Sequence, residues 1–326
     1  MGKPLVIEQV PIPEPTGRQI LVKVKAASLC HSDLSIIDGG FGPLPVPLIV
    51  GHEAVSVVEK LGPDAAAYGI KVGDVIGTPL WQDMCLQCAD CRTAGPQFCP
   101  TMQIMGMNTA GYFAEYALVD PATAVVIPPA RAERPSALAP VFCAGITVWD
   151  ALERADLKPG QTVAVVGAGG LGQTAVQYAH GLGANVIALD IRDEQLLACK
   201  ADNTADEIVN TTGLDPAALV ARTKEVNNGR LVDTAIVCSG TVPAYNTALA
   251  IVKAEGSVVA VGLPHQPIPV HAAMVSVKAI KYVHTPNSRS WVPTTRELLL
   301  IFLHLQDSSA QRFRARWAHR GASTSC

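Results

Sequence analysis

Four cysteines stand at positions 85, 88, 91 and 99, in the run Cys85-Leu86-Gln87-Cys88-Ala89-Asp90-Cys91 followed by Cys99 after a short loop. Two consecutive C-x-x-C steps and a fourth thiol nearby can close a tetrahedral sulfur cage. Four thiolates with no open position suit a structural Zn²⁺. A chance cluster of small buried residues is the plainer alternative, but nine cysteines in 326 residues rarely gather four in so short a stretch. Disulfides are the other alternative, and three-residue steps are too tight for comfortable bridges.

A second set of ligand types is scattered. Cys30-His31-Ser32-Asp33 and Gly51-His52-Glu53 lie in the same half of the chain as the cluster, and Cys143 follows in the run 142–147. Cys30, His52 and Cys143 together would make a Cys₂His set. Such a set leaves a fourth position for water or substrate, the mark of a catalytic zinc. Singly, each residue is more often inert, an isolated cysteine usually being a small buried hydrophobe. Spacing alone leaves their convergence open.

The third feature is Gly167-Ala168-Gly169-Gly170-Leu171-Gly172. It follows an apolar strand and opens a helical stretch, and Asp190 ends the next strand, 18 residues beyond Gly172. Gly167 permits the tight turn, Gly169 lets the backbone approach a pyrophosphate, and Gly172 allows close helix–strand packing. The helix N-terminus adds free N–H groups and partial positive charge. A carboxylate at Asp190 accepts from both ribose hydroxyls and repels a 2′-phosphate, which favours NAD over NADP. Arg192 stands close enough to soften that preference. Gly167, Gly169, Gly170, Leu171, Gly172 and Asp190 are therefore the expected cofactor-binding residues.

These groups need elements to hold them. Residues 20–25, 54–60 and 112–119 alternate as strands do, between turn signals such as Gly39-Gly40. The texture changes near residue 140. Residues 136–154 have helical spacing, and strands are expected at 162–166, 185–190, 231–237 and 257–262 with helices between. Strands alternating with helices imply a parallel sheet covered on both faces. The fold class is α/β, with a β-rich first part.

Composition narrows the setting. Hydrophobic residues make up 49% and charged residues 16%, so a large core is readily supplied. A net charge of −3 argues against nucleic-acid and anionic-membrane partners. No apolar run reaches the roughly 18 residues that span a bilayer. The start, Met1-Gly2-Lys3-Pro4, lacks a secretory apolar region. A reducing, cytoplasmic setting is expected, where cysteines more often bind metal than form bridges.

In order, Cys-His-Ser-Asp at 30–33, Gly-His-Glu at 51–53, the four-cysteine lobe at 85–99, Cys-Ala-Gly-Ile-Thr at 143–147, the glycine loop at 167–172 and Asp190 resemble the zinc-dependent alcohol dehydrogenases of the medium-chain dehydrogenase/reductase superfamily. The likeness covers roughly residues 3 to 300 and is strongest to the yeast-type microbial branch. The resemblance implies a GroES-like catalytic domain over 1–148, a Rossmann NAD-binding domain over 149–285 and an atypical C-terminal segment over 286–326. It implies two zinc ions per chain: Cys30, His52 and Cys143 as catalytic ligands, and Cys85, Cys88, Cys91 and Cys99 as structural ligands. Asp33 resembles the carboxylate that orients the ligand histidine, Glu53 the acidic residue behind the metal, and Ser32 the hydroxyl that touches the substrate oxygen. Trp81 falls near a pocket-lining aromatic. The implied reaction is hydride transfer between NAD and a small alcohol, or the matching aldehyde or ketone, with zinc as Lewis acid. A homodimer or homotetramer is implied, paired through residues 262–283.

Three departures qualify the likeness. Ser35 stands where many relatives end their proton relay with a histidine. The chain starts near the end of the family's first strand. After about Leu303 the pattern is lost, and the basic tail at 311–320 reads as a partner-binding extension or, preferably, as a shifted reading frame or splice product. The rival function is accordingly a degenerate dehydrogenase that keeps its metal and cofactor sites but not turnover.

Overall fold

A computed structural model describes residues 4–284 apart from residues 202, 265 and 271. The chain divides into two compact units, the first running to Ile146 and the second starting at Thr147. The C-terminal segment over 286–326, and with it the tail, lies outside the described residues.

The first unit is β-rich. Strand β1 (Ile20–Ala27) leads into helix α1 (His31–Asp38), followed by β2 (Ala54–Leu61), β3 (Val75–Thr78) and β4 (Trp81–Gln82). Helix α2 (Ala89–Thr93), β5 (Gln103–Ile104), β6 (Tyr116–Val119) and β7 (Val125–Val126) complete it, with α3 (Pro135–Leu138) and the start of α4 (Ala144–Arg154). Five strands form an antiparallel sheet in the order β6-β1-β2-β3-β7, while β4 and β5 pair separately. Alternation places Ile20 and Val22 with Ala54, Val58 and Ile76 on one buried face, where Met105 and Tyr112 join them. The expected strand at 112–119 is shorter, because residues 111–113 bond to Ile49, Val50 and Gly51 instead of to β1.

Asp120, at the end of β6, ties this sheet to the cysteine lobe. Its buried carboxylate accepts from Arg18 at 2.6 Å and from the Asp83 and Ala122 N–H groups at 3.0 Å. Arg18 also donates to the Met84 carbonyl, one residue before the first cysteine of the lobe, at 2.8 Å.

The helical stretch expected over 136–154 is broken. Pro140 sits in a 3₁₀ turn over Ala139–Phe142, and Cys143 then leaves the helical region at φ −129°, ψ −74° before α4 begins. A proline cannot donate the interior helix bond, so the turn tightens and the next residue is freed to point elsewhere.

The second unit is a six-stranded parallel sheet in the order β10-β9-β8-β11-β12-β13. Its strands are β8 (Thr162–Val166), β9 (Asn185–Asp190), β10 (Glu207–Asn210), β11 (Val232–Val237), β12 (Val252–Ala260) and β13 (Lys281–His284). Between them run α5 (Gly170–Gly181), α6 (Asp193–Ala201), α7 (Pro216–Val226), α8 (Val242–Ile251) and α9 (Ala272–Val277). Strand β8 is buried at every position, as a strand covered on both faces must be. Strand β12 begins five residues earlier than expected. Glu255 at φ +59° and a register shift against β11 hide its first half from a strict alternation. No single helix among the described residues is long and apolar enough to cross a membrane.

Candidate metal and cofactor sites

Cys30, His52, Glu53 and Cys143 present ligand atoms that all lie within 4.8 Å of one another. Different local devices aim each one. Cys30 is the N-cap of α1, extended at φ −95°, ψ 156°, and Asp33 one turn later accepts from the Cys30 N–H at 2.9 Å. The other oxygen of Asp33 accepts from His52 Nδ1–H at 2.8 Å. One fully buried carboxylate therefore braces two of the ligands and leaves His52 Nε2 facing Cys143 Sγ at 3.2 Å. Cys143 reaches the cluster from the break between α3 and α4, with its sulfur 4.0 Å from that of Cys30.

Charge within the donor set is paired, a Cys30 thiolate beside a protonated His52. Hydrogen bonding from Cys143 and, against burial, from His52 holds Cys30 as a thiolate, down to about 4. Cys143 is pushed well above the usual thiol range by the Cys30 sulfur and by burial. Burial opposes a charged His52, but Asp33 and Cys30 outweigh it and raise the imidazole to about 10. Glu53 is lifted to about 7 by burial, against the pull of Ser28, and its Oε2 is buried without a protein partner. Two sulfurs and an imidazole nitrogen suit zinc. For bonds of about 2.0–2.3 Å tetrahedral edges are roughly 3.3–3.8 Å, close to the 3.2 and 4.0 Å found. Ser32 is half-buried in the first turn of α1, and Ser35 donates only to the His31 carbonyl at 3.3 Å.

Cys85, Cys88, Cys91 and Cys99 form a second group. The sulfur separations of 3.9 Å for Cys85–Cys91 and 3.6 Å for Cys85–Cys99 again bracket a tetrahedral edge. Backbone N–H groups point at the sulfurs: Cys85 N to Cys99, Cys88 N to Cys85 and Cys91 N to Cys88, at 3.3–3.4 Å. Burial opposes the Cys99 thiolate, but Thr101 and the Cys85 N–H outweigh it and bring the thiol down to about 6, while burial pushes Cys91 up to about 12. Trp81, only 3% exposed, packs with Met84 against Cys91 and Cys99 and so belongs to the lobe's apolar core.

The glycine loop lies in the second unit. Gly167 has φ +97°, and a Cβ there would meet Ser239 at 2.9 Å. A Cβ on Gly172 would stand 1.8 Å from the Gly167 carbonyl. Nothing lies within 4 Å of a Cβ on Gly169 or Gly170, so the space above the start of α5 is open. Asp190 accepts from the Ala168 N–H at 2.7 Å and the Arg192 N–H at 3.0 Å, which ties the second strand to the loop. The Arg192 guanidinium stands 4.0 Å from the same carboxylate. Ser239, which closes on Gly167, carries no motif signal in the sequence. It is found only because β11 lies beside β8.

Residues 16–129 match the family described as the alcohol dehydrogenase GroES-like domain, and residues 170–299 match that described as zinc-binding dehydrogenase. An alcohol dehydrogenase of Rhizobium meliloti is 39% identical over 264 residues, 81% of this chain and 75% of the relative. An NAD-dependent alcohol dehydrogenase of Sulfurisphaera tokodaii is 32% identical over 295 residues, 87% of this chain and 82% of the relative. The crystal structure of the alcohol dehydrogenase from the hyperthermophilic archaeon Aeropyrum pernix superposes with a TM-score of 0.81 at 28% identity, covering 91% of this chain and 87% of that one. With both halves matched and identity of this order across most of a relative's length, the chain belongs to the zinc-binding alcohol dehydrogenases of the medium-chain dehydrogenase superfamily.

Proposed function

We propose that this chain is an NAD-dependent zinc alcohol dehydrogenase that holds two zinc ions. Cys30, His52 and Cys143 are the ligands of the reacting ion, and Cys85, Cys88, Cys91 and Cys99 those of the structural one. The observation that carries the reading is the convergence of donors from positions 30, 52 and 143 on one point, with the Glu53 carboxyl behind them. When bound, the catalytic zinc supplies Lewis acidity to the oxygen of an alcohol or carbonyl. The nicotinamide supplies the hydride chemistry.

The chain's own residues position and exchange protons. Asp33 accepts from the His52 Nδ1–H, so that Nε2 is the ring nitrogen that would bind the metal once its proton is displaced. Ser32, two residues after Cys30, accepts the proton of the substrate hydroxyl and passes it outward. Ser35 cannot continue that relay as a base of neutral pH, so the path ends in water or on another group. In the second unit, the loop Gly167 to Gly172 receives the pyrophosphate over the open start of α5. The Asp190 carboxylate faces the ribose and disfavours a 2′-phosphate, giving NAD precedence over NADP.

The catalytic domain is assigned to residues 1–148 and the nucleotide domain to 149–285. A homodimer or homotetramer is assigned to the segment 262–283, where Leu263 and Val277 are 77% and 87% exposed among the described residues. Unbridged cysteines fit a reducing cytoplasm. The degenerate alternative has nothing in its favour among the described residues, where both donor sets and every loop glycine are in place. Metal counting with an NADH absorbance assay tests the reading. Two zincs per chain and alcohol-dependent reduction of NAD are expected. One zinc, with no turnover across a broad panel of alcohols and carbonyls, overturns it.

A further inference from the structure

His52 leaves the backbone from a crossing of two chain segments that only glycines can make. Residues 49–51 run against residues 111–113. Gly111 N–H donates to the Ile49 carbonyl at 2.7 Å, Tyr112 N–H to Gly51 at 2.9 Å and Phe113 N–H to Val50 at 2.9 Å. A Cβ on Gly111 would stand 2.2 Å from the Gly51 oxygen and 2.6 Å from the Val50 oxygen. A Cβ on Gly106 would stand 2.8 Å from both the nitrogen and the oxygen of Gly51. These neighbours are backbone atoms, which cannot rotate out of the way. On the opposite side the Phe113 ring fills the place a Cβ on Gly51 would take, at 2.6 Å, and Gly51 itself sits at φ +98°.

The crossing is also joined to the sulfur cage. From Cys99 the chain passes through β5, paired with β4, to Met105, which is buried in the sheet core, and then to Gly106 on top of Gly51. Asp33 settles the rotation of the His52 ring. The height and direction at which residue 52 starts are settled by what is packed against Val50 and Gly51.

We propose that Gly106 and Gly111 are positioning residues for His52, clamping its backbone so that the imidazole meets Cys30 and Cys143. The proposal rests on the reading of those three residues as a metal site. Zinc–ligand distances tolerate only about 0.2 Å, whereas a methyl group on Gly111 forces the Val50–Gly51 backbone away by about an ångström before contact becomes ordinary. The sulfur cage draws no ligand from the crossing and is left whole.

The test uses the full chain and two variants, with metal content and the absorption of the Co²⁺-substituted protein as readouts. The Cys₂His and Cys₄ sets give different cobalt spectra, so each site reports separately. Gly111→Ala is expected to bind metal about 10- to 100-fold more weakly at the Cys₂His site, as when partners that orient a ligand are lost. Its Cys₄ spectrum and circular dichroism stay those of the parent and report an intact fold. Phe113→Ala adds no atom and removes a ring that is already 37% exposed, so it serves where Gly111→Ala fails to fold. It is expected to lose the Cys₂His metal to a chelator several times faster than the parent. A parent chain with two metals and a folded Gly111→Ala that holds both at parental affinity overturns the clamp, as does unchanged metal release in Phe113→Ala. A parent chain that binds metal only at the Cys₄ cage overturns the metal-site reading and the clamp with it.

Discussion

The sulfur cage draws its four ligands from residues 85–99, while the Cys₂His cluster joins sulfurs 113 residues apart in sequence. The cage is therefore a local object. Its turns aim successive N–H groups at successive sulfurs, and Trp81 and Met84, just before the segment, supply its apolar packing. The Cys₂His cluster has no such autonomy. A helix cap, a glycine-bounded turn and a broken helix each deliver one ligand, and a single carboxylate holds two of them in register. On the reading proposed above, a Cys₄ cage saturates its zinc and holds shape, whereas three protein donors leave a coordination position for a reactant.

The largest effects should follow from breaking each cluster at a ligand, and they should fall on different observables. Cys143→Ala removes a ligand of the distributed site. Lewis-acid stabilisation worth several kcal/mol is lost, so kcat/KM should fall by about 10³-fold or more. Zinc should drop from two to one per chain, with the thermal midpoint nearly unchanged. Full activity in this variant would end the ligand assignment. Cys91→Ala opens the cage instead. It should cost about 4 kcal/mol of stability and lower Tm by roughly 10 °C. Activity per folded molecule should stay close to that of the parent when assayed in the cold. A variant that kept its Tm but lost turnover would show that the cage takes part in chemistry, and the comparison would fail.

How much of this could be read beforehand follows the same division. The cage was visible because its ligands repeat at three-residue steps in one stretch of sequence. The glycine loop was visible because strand, turn and helix follow in order, and β8 and β9 begin and end at the residues expected. In sequence Cys30, His52 and Cys143 are only candidates, since nothing local says that positions 30 and 143 approach within 4.0 Å. The break at Cys143 is hidden because helical spacing runs on past Pro140. Gly106 and Gly111 look like ordinary loop glycines in sequence. Their reason is a backbone contact with Gly51 across more than fifty residues. Trp81, which falls near a pocket-lining aromatic of the family, packs against the lobe.

A smaller effect distinguishes the ways the two sites are braced. Asp33 accepts one hydrogen bond on each oxygen, from Cys30 N–H and from His52 Nδ1–H. Asparagine has a single acceptor oxygen, so in Asp33→Asn an amide N–H must face one of those donors. Metal affinity at the Cys₂His site should fall by about 10- to 100-fold, while the cage keeps its cobalt spectrum. Competition against a chelator with a resolved endpoint for each site measures both in one titration. Equal weakening of the two sites would mean that Asp33 acts on the fold at large and not on its two ligands.

The least effect is expected where the cage is braced twice over. Cys99 Sγ contacts the Thr101 hydroxyl at 3.2 Å and also accepts from the Cys85 N–H at 3.3 Å. Thr101→Val deletes the first contact in nearly the same volume and leaves the second, so the sulfur keeps a donor. The loss should be that of one neutral hydrogen bond, about 1 kcal/mol, or roughly fivefold in the affinity of the cage for its metal. That is well short of the loss at Asp33→Asn. Backbone N–H groups survive every substitution except proline, and Cys85, Cys88 and Cys91 each point one at this cage. In the distributed site one side chain, Asp33, braces both the Cys30 backbone and the His52 ring. If Thr101→Val weakened the cage as far as Asp33→Asn weakens the Cys₂His site, the redundancy inferred from these N–H contacts would be wrong. The cage would then depend on side-chain support as much as the proposed catalytic site does.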